Sequence, residues 1–346
     1  MKKKRMFYIL DCLMILALTV YALLDTFLIP QEYQTVEAHE VSSEIAAETA
    51  ETEEDNSTAS LQETADPSPS SHSRHSRRHS SNSSEKGSLS ASDAESTVYK
   101  ISADDASYAD ENIEITISEY TYNDTDIYVA DVQLTSIDYL YAAFADNVYG
   151  KNVTAKTSTT AAANNAILAI NGDYYGARNS GYVLRNGVLY RDSASSADQE
   201  DLVINADGSF SIITEGSTSA ASIEESGALQ VFSFGPALIV DGEISVGLND
   251  EVGKAMASNP RTAICEIEPL HYLLVVADGR TDESEGLSLY ELASFLQENF
   301  DIITAYNLDG GGSSTMVFNG QLVNNPTTSG NSISERSVSD VICIGY

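Results

Sequence analysis

Polar and apolar residues alternate through IEITIS (Ile113 to Ser118) and again through DIYVADVQL (Asp126 to Leu134). Side chains on a strand point to opposite faces in turn, so this period predicts strands. AILAI (Ala166 to Ile170) predicts a short buried strand, and HYLLVVA (His271 to Ala277) another apolar one. Hairpin signals recur between such runs: Asn186-Gly187, Asp207-Gly208, Asp241-Gly242 and Asn319-Gly320. Those dipeptides suit type I′ turns, whose two central residues need positive φ. Helical patterns are fewer. Leu287 to Phe300 carries one, and Ser288 with Glu291 forms a capping box at its start. Thr154 to Ala166 predicts a second. No internal repeat is visible. Strands outnumber helices, which predicts a single strand-rich α+β domain of about 250 residues over 98–346.

The pattern before that domain differs. MKKKR precedes an apolar run, Met6 to Ile29, with Asp11 and Asp25 near its ends. The run matches the roughly 20 apolar residues that a bilayer requires. We expect 1–30 to be a cytoplasmic basic tip and a transmembrane signal-anchor, with the remainder outside the cytoplasm. A cleaved signal peptide is the rival reading, but no small-x-small site follows the run directly. Cys12 reads as a membrane-buried thiol, since Asp11 before it fits a lipoprotein signal poorly. Residues 31–97 are rich in Ser, Glu, Thr and Ala and lack a sustained apolar period. They cannot offset their ordering entropy by burial, and so read as a low-complexity linker. Within them His72, His75 and His79 alternate with Arg74, Arg77 and Arg78. That cluster suits a metal or an anionic wall polymer, or simply a solvated spacer.

Charge narrows the partners. The formal net charge is −34, which argues against nucleic acid. From Val98 onward there are only 10 Lys and Arg against 36 Asp and Glu. An acidic shell of this kind mainly supports solubility and says little about fold.

The candidate chemistry lies at strand ends. AYNLDGGGSSTMVFNG places Asp309 at the end of one apparent strand, before Gly310, Gly311 and Gly312. Glycines allow positive φ and close approach, and such a loop can present backbone N–H groups to an oxyanion. Ser313 and Ser314 add hydroxyl donors. A tight turn with a bulge explains the same residues structurally. A phosphate-binding P-loop is excluded, because no Gly-Lys-Ser/Thr follows. AINGDYYG puts Asp173 after a buried strand, VVADGR puts Asp278 and Arg280 after another, and NPRTAICEI puts Arg261 and Thr262 at a strand start. Each alone is an ordinary turn. Together they are strand-end groups able to converge on one pocket, with carboxylates and arginines suited to an anionic substrate with a polarised bond. A serine nucleophile lacks support, since His271 is the domain's only histidine.

In this order, NGDYYG, GPALIVDG, RTAI, ADGR with GLSLYELA, NLDGGGSSTMV and LVNNP resemble the phosphodiester glycosidase family. The resemblance covers roughly Ala166 to Tyr346, and some bacterial members are linked to exopolysaccharide biosynthesis. It implies hydrolysis of a sugar-1-phosphodiester, giving free sugar and a phosphomonoester, with a carbohydrate or glycosyl-phosphate substrate. By motif it implies catalytic roles for Asp309, Asp173 or Asp278. Arg261, Thr262, Arg280, Asn307, Gly310, Gly311, Ser313 and the late arginine Arg336 would bind substrate. The nucleophile or base falls to Asp309 or Asp173, with Asp278 able to orient Arg280. No cofactor is implied. Clustered aspartates leave a divalent ion such as calcium open, although no metal-loop spacing is present. Cys265 departs from the family's usual glycine after RTAI, and leaves a disulfide with Cys343 open. Two other function classes stay in play: a non-catalytic carbohydrate-binding domain, and a transferase moving sugar-phosphate between envelope polymers.

Overall fold

The computed structural model describes residues 2–38, 106–250, 258–329 and 332–346. An eight-stranded antiparallel sheet forms the frame. Its order is Glu243–Ile244, Ala237–Val240, Thr304–Asn307, Arg261–Glu268, His271–Ala277, Thr125–Leu134, Ile113–Tyr122 and Ser107–Ala109. The His271–Ala277 strand is apolar throughout because both its faces are covered. Tyr272, Leu274 and Val276 face the main core, while Leu273, Val275 and Ala277 face a helix, Leu289–Asn299. That helix buries Leu292, Phe295 and Leu296, each worth roughly 1.5–3 kcal/mol. Its capping box forms as expected: Ser288 Oγ accepts from Glu291 N, and Ser288 N donates to the Glu291 carboxylate.

Two five-stranded sheets share the main core. One runs Gln321–Leu322, Met316–Phe318, Ala166–Asn171, Asp340–Gly345 and Leu140–Phe144. The other runs Val188–Arg191, Val183–Arg185, Gln230–Phe232, Glu200–Ile204 and Phe210–Thr214. Leu168, Ile170 and Ile342 of the first, and Leu202, Ile204 and Phe232 of the second, join Ile115 and Ile264 of the large sheet in one cluster. The strand-rich fold with few helices agrees with the expectation from sequence.

Three of the four expected hairpins close with both central residues at positive φ, Asn186-Gly187, Asp241-Gly242 and Asn319-Gly320, and Asn123-Asp124 makes a further such turn between Ile113–Tyr122 and Thr125–Leu134. Asp207-Gly208 differs, with only Gly208 positive. The strands there end at the Ile204–Phe210 pair, so the loop is longer than a two-residue turn.

Several expectations need correction. Lys2–Phe27 is one helix, yet no helix among the described residues is long and apolar enough to cross a membrane. The expected linker does not begin at residue 31. Gln31–Thr35 is a strand paired antiparallel with Val148–Lys151, and Tyr33 packs on Tyr149. The remainder of the expected linker from residue 39, with the His72, His75 and His79 cluster, lies outside the described residues. Cys265 and Cys343 are free and buried. Cys265 faces the Leu289–Asn299 helix from the large sheet, and Cys343 sits in a separate cluster with Ala161 and Val317. The two thiols belong to different packing layers, which leaves them no path to a bond.

Candidate active site

Strand ends from two sheets meet at the glycine loop. In the large sheet Asn307 ends one strand and Arg261 opens its neighbour, and Leu308 N donates to Thr262 O at 2.9 Å. In a five-stranded sheet, Asn171 ends the strand that leads into Gly172. The Asn171 amide ties these segments together. Its Nδ2 donates to Asp309 O at 2.6 Å, while its Oδ1 accepts from Thr262 Oγ1 at 2.9 Å and Thr315 N at 3.2 Å. Asp309 N donates in turn to Gly172 O at 3.2 Å.

Around this junction lies a cavity of about 500 Å³. Gly310, Gly311, Arg261, Arg280 and Arg336 line it together with Tyr174, Arg178, Phe234, Asn307 and Asp309. Four of the ten basic residues after Val98 are therefore gathered at one place in an acidic domain. Asp309 is the one lining carboxylate among the described residues.

The guanidiniums are held from behind. Arg261 Nε donates to Leu287 O at 2.7 Å. Arg280 Nη2 donates to Asn259 Oδ1 at 3.1 Å, and its Nη1 reaches Thr327 O and Thr328 O at 3.4 Å. Its backbone is left-handed at φ 65°, an uncommon state for a side chain of this size. Burial, then the neighbouring charges of Arg336 and Arg261, lower its pKa. An anion placed among the three would relieve that repulsion. Asp309 is half-buried, and burial raises its pKa, opposed by Ser313, Arg336 and Arg178.

The three glycines serve close approach. A side-chain carbon on Gly310 would lie 2.9 Å from Pro260 O, and one on Gly312 would lie 2.8 Å from Arg336 Nη2. The backbone donors expected from this loop are partly engaged within it: Gly311 N bonds Pro260 O, and Ser313 N bonds Gly310 O. Anion binding at this wall thus falls mainly to the guanidiniums.

Arg261, Arg280, Arg336, Asn307, Gly310, Gly311 and Asp309 come together as cavity lining. Asp173, Asp278, Thr262 and Ser313 do not. Asp173 is fully buried, 3.0 Å from Arg185, and accepts from Ser233 N and Tyr175 N. Asp340 completes that cluster at 2.7 Å from Arg185. Asp278 accepts from Asn324 Nδ2 and Asn325 N, and burial pushes its pKa up to about 6. It fixes the turn leading to Thr327, whose carbonyl Arg280 reaches. Thr262 and Ser313 are buried, with Thr262 bonded to Asn171.

Tyr174, Arg178, Phe234 and Asn259 were missed as candidates. Arg178 lies in the same loop as Asp173, and Phe234 directly precedes GPALIVDG, so the strand-end criterion could have reached both. Among the described residues no group of three or more His, Cys, Asp or Glu could hold a metal ion. Four guanidiniums with one carboxylate do not fit a divalent cation, which prefers several oxygen ligands.

The family model for phosphodiester glycosidase matches residues 164–345. The SPbeta prophage-derived uncharacterized protein YomE of Bacillus subtilis (strain 168) is 30% identical over 188 residues, covering 52% of this chain and 28% of that protein. N-acetylglucosamine-1-phosphodiester alpha-N-acetylglucosaminidase of Mus musculus is 41% identical over 87 residues, 24% of this chain and 16% of that enzyme. The chain thus spans less than a third of either relative. The solved catalytic domain of zebrafish N-acetylglucosamine-1-phosphodiester alpha-N-acetylglucosaminidase, auto-inhibited by its pro-peptide, shares the fold. The TM-score is 0.53 at 23% identity, covering 68% of this chain and 83% of that one.

Proposed function

The chain belongs to the phosphodiester glycosidase family, and from that membership we propose that it hydrolyses a glycosyl 1-phosphodiester to a free sugar and a phosphomonoester. One observation carries the reading: four guanidiniums and one carboxylate line the same cavity. The arginines suit phosphate oxygens, which they can grip with paired hydrogen bonds. With Asp309 as base, water oxygen bonds to the anomeric carbon as the carbon–oxygen bond to phosphate breaks, and Asp309 takes the water's proton; with Asp309 as nucleophile, its carboxylate first displaces the phosphate to give a glycosyl ester, which water then cleaves. The bonding pair leaves with the phosphate, whose charge grows from one toward two. Arg261, Arg280 and Arg336 stabilise that growth. An ordinary glycosidase needs a second carboxylic acid to protonate the leaving oxygen. A phosphate leaves with less help, so Asp309 at the anomeric carbon suffices, as direct nucleophile or as base for the water. The test is incubation of the full chain with sugar-1-phosphodiesters, following reducing sugar. Release in water supports hydrolysis. Saturable binding without release would make it a binding domain, and release only with a second sugar acceptor would make it a transferase.

We further propose that the domain works outside the cytoplasm, attached to the membrane by the whole apolar run Met6 to Ile29, only part of whose side chains the structure describes. Leu13, Ile15, Leu16 and Leu18 each stand more than half exposed in that run, and MKKKR precedes them. Basic residues favour the cytoplasmic side. Protease applied to intact cells should release the domain. A domain protected until lysis would overturn the placement.

A further inference from the structure

The cavity's cations are not equivalent. Arg261, Arg280 and Arg336 gather at the Gly310–Gly312 loop, close enough to repel one another. Arg178 is anchored differently, although its charge also reaches Asp309. Its guanidinium lies over the Phe234 ring at 5.1 Å, and Nη1 donates to Ser233 O at 3.0 Å. That contact and the ring fix its plane, while Nε and Nη2 carry no hydrogen bond among the described residues. Tyr174 also lines the cavity, 45% exposed and in the left-handed backbone region. Aromatic rings and a fixed fork in one cavity suit a sugar ring with a charged substituent, because rings cover the sugar's C–H face and the fork matches an oxyanion. Asp309 and a phosphodiester together supply at most two negative charges against the cavity's four guanidiniums, which leaves room for a further anion. A half-buried guanidinium left unmatched when substrate displaces water would cost affinity.

We infer that the substrate's sugar carries a second anionic group, a carboxylate or a phosphate, and that Arg178, seated on Phe234, is the residue that selects for it. The inference rests on the hydrolase reading for its orientation: phosphate at the glycine loop, anomeric carbon beside Asp309, sugar over Tyr174 and Phe234.

The test compares three methyl phosphodiesters with the full chain: those of glucose 1-phosphate, glucuronic acid 1-phosphate and glucose 1,6-bisphosphate esterified at the 1-phosphate. At least one acidic substrate should exceed the neutral one in kcat/KM by about tenfold or more, the scale of one charge-assisted hydrogen bond. Arg178→Met should bring that ratio toward one, whatever it does to the separate rates. Arg178→Lys should keep part of the preference, since it keeps the charge and loses the fork. A carboxylate preference and a phosphate preference identify the two sources of the anion. Equal handling of all three substrates, or a preference that survives Arg178→Met, overturns the inference. Inactivity on all three would sink the hydrolase reading instead. Calorimetric Kd values for the same three compounds, with and without Arg178→Met, then decide the Arg178 inference alone.

Discussion

The Arg280 guanidinium crosses the face of Gly311, with Nη2 lying 2.7 Å from the point that a side-chain carbon on that glycine would occupy. Gly311 also sits at φ 63°. Gly311→Ala therefore meets two obstacles. Left-handed backbone should cost about 1–2 kcal/mol of stability. The displaced guanidinium should also raise KM by about tenfold, the scale of one charge-assisted hydrogen bond. Thermal melts and steady-state kinetics separate the two effects. An unchanged KM in the folded variant would show that Arg280 does not touch substrate.

Asp309→Asn keeps the shape of the carboxyl group and removes its charge. Its main-chain links to Gly172 and Asn171 do not involve the side chain. The fold should persist, and turnover should fall by about 100-fold or more, the lower scale for a positioned acid–base group. Near-normal turnover per folded molecule would remove Asp309 from the chemistry. Proton NMR of the fresh sugar product refines the role: retained anomeric configuration means direct attack, and inversion means an activated water.

Asp173→Asn should behave in the opposite way. Asp173 accepts from Ser233 N through one oxygen and from Tyr175 N through the other. An amide has a single acceptor oxygen, so one buried N–H loses its partner, at about 1–3 kcal/mol. The melting temperature should fall while turnover per folded molecule holds. A large loss of turnover without a change in melting would instead point to Asp173 as a catalytic group.

Asp201 supplies a pH dependence. Burial, then the Glu215 carboxylate beside it, pushes its pKa from 3.8 up to about 8. The folded state therefore holds a proton that the unfolded chain has released across that interval. Stability from this group is full below 3.8 and is lost as pH rises through about 8. Asp201→Asn mimics the protonated form. Its melting temperature relative to wild type should climb with pH across that window and level off above it. A difference that stays flat would show that Asp201 is ionised throughout.

Much of the frame was legible because its signals are local. The Ser288–Glu291 box depends on residues three apart, and Asn186-Gly187 carries its own backbone preference. The loop residues Asp309, Gly310 and Gly311 were legible because glycine runs beside a carboxylate are rare in strand-rich segments. Asp173 and Asp278 were harder to assign. At the end of a strand, a carboxylate that faces a cavity and one that caps a neighbouring loop look alike in one dimension. The difference lies in Arg185, Asp340 and Asn324, which are distant in sequence and close in space. Arg178 escaped for a related reason: its partner Phe234 is distant in sequence, and no spacing rule connects the two.

Asn171 has a bearing on portability. One amide group is shared by the Asp309 segment, the Thr262 strand and the Thr315 turn. The glycine loop is thus not a module that could be grafted onto another scaffold by copying Asn307 to Thr315. Its shape is a joint property of two sheets, and whatever loosens either one blurs the loop before the chain as a whole unfolds. In a lineage that drifts, the residues around Asn171 would then constrain activity as firmly as those that touch the sugar.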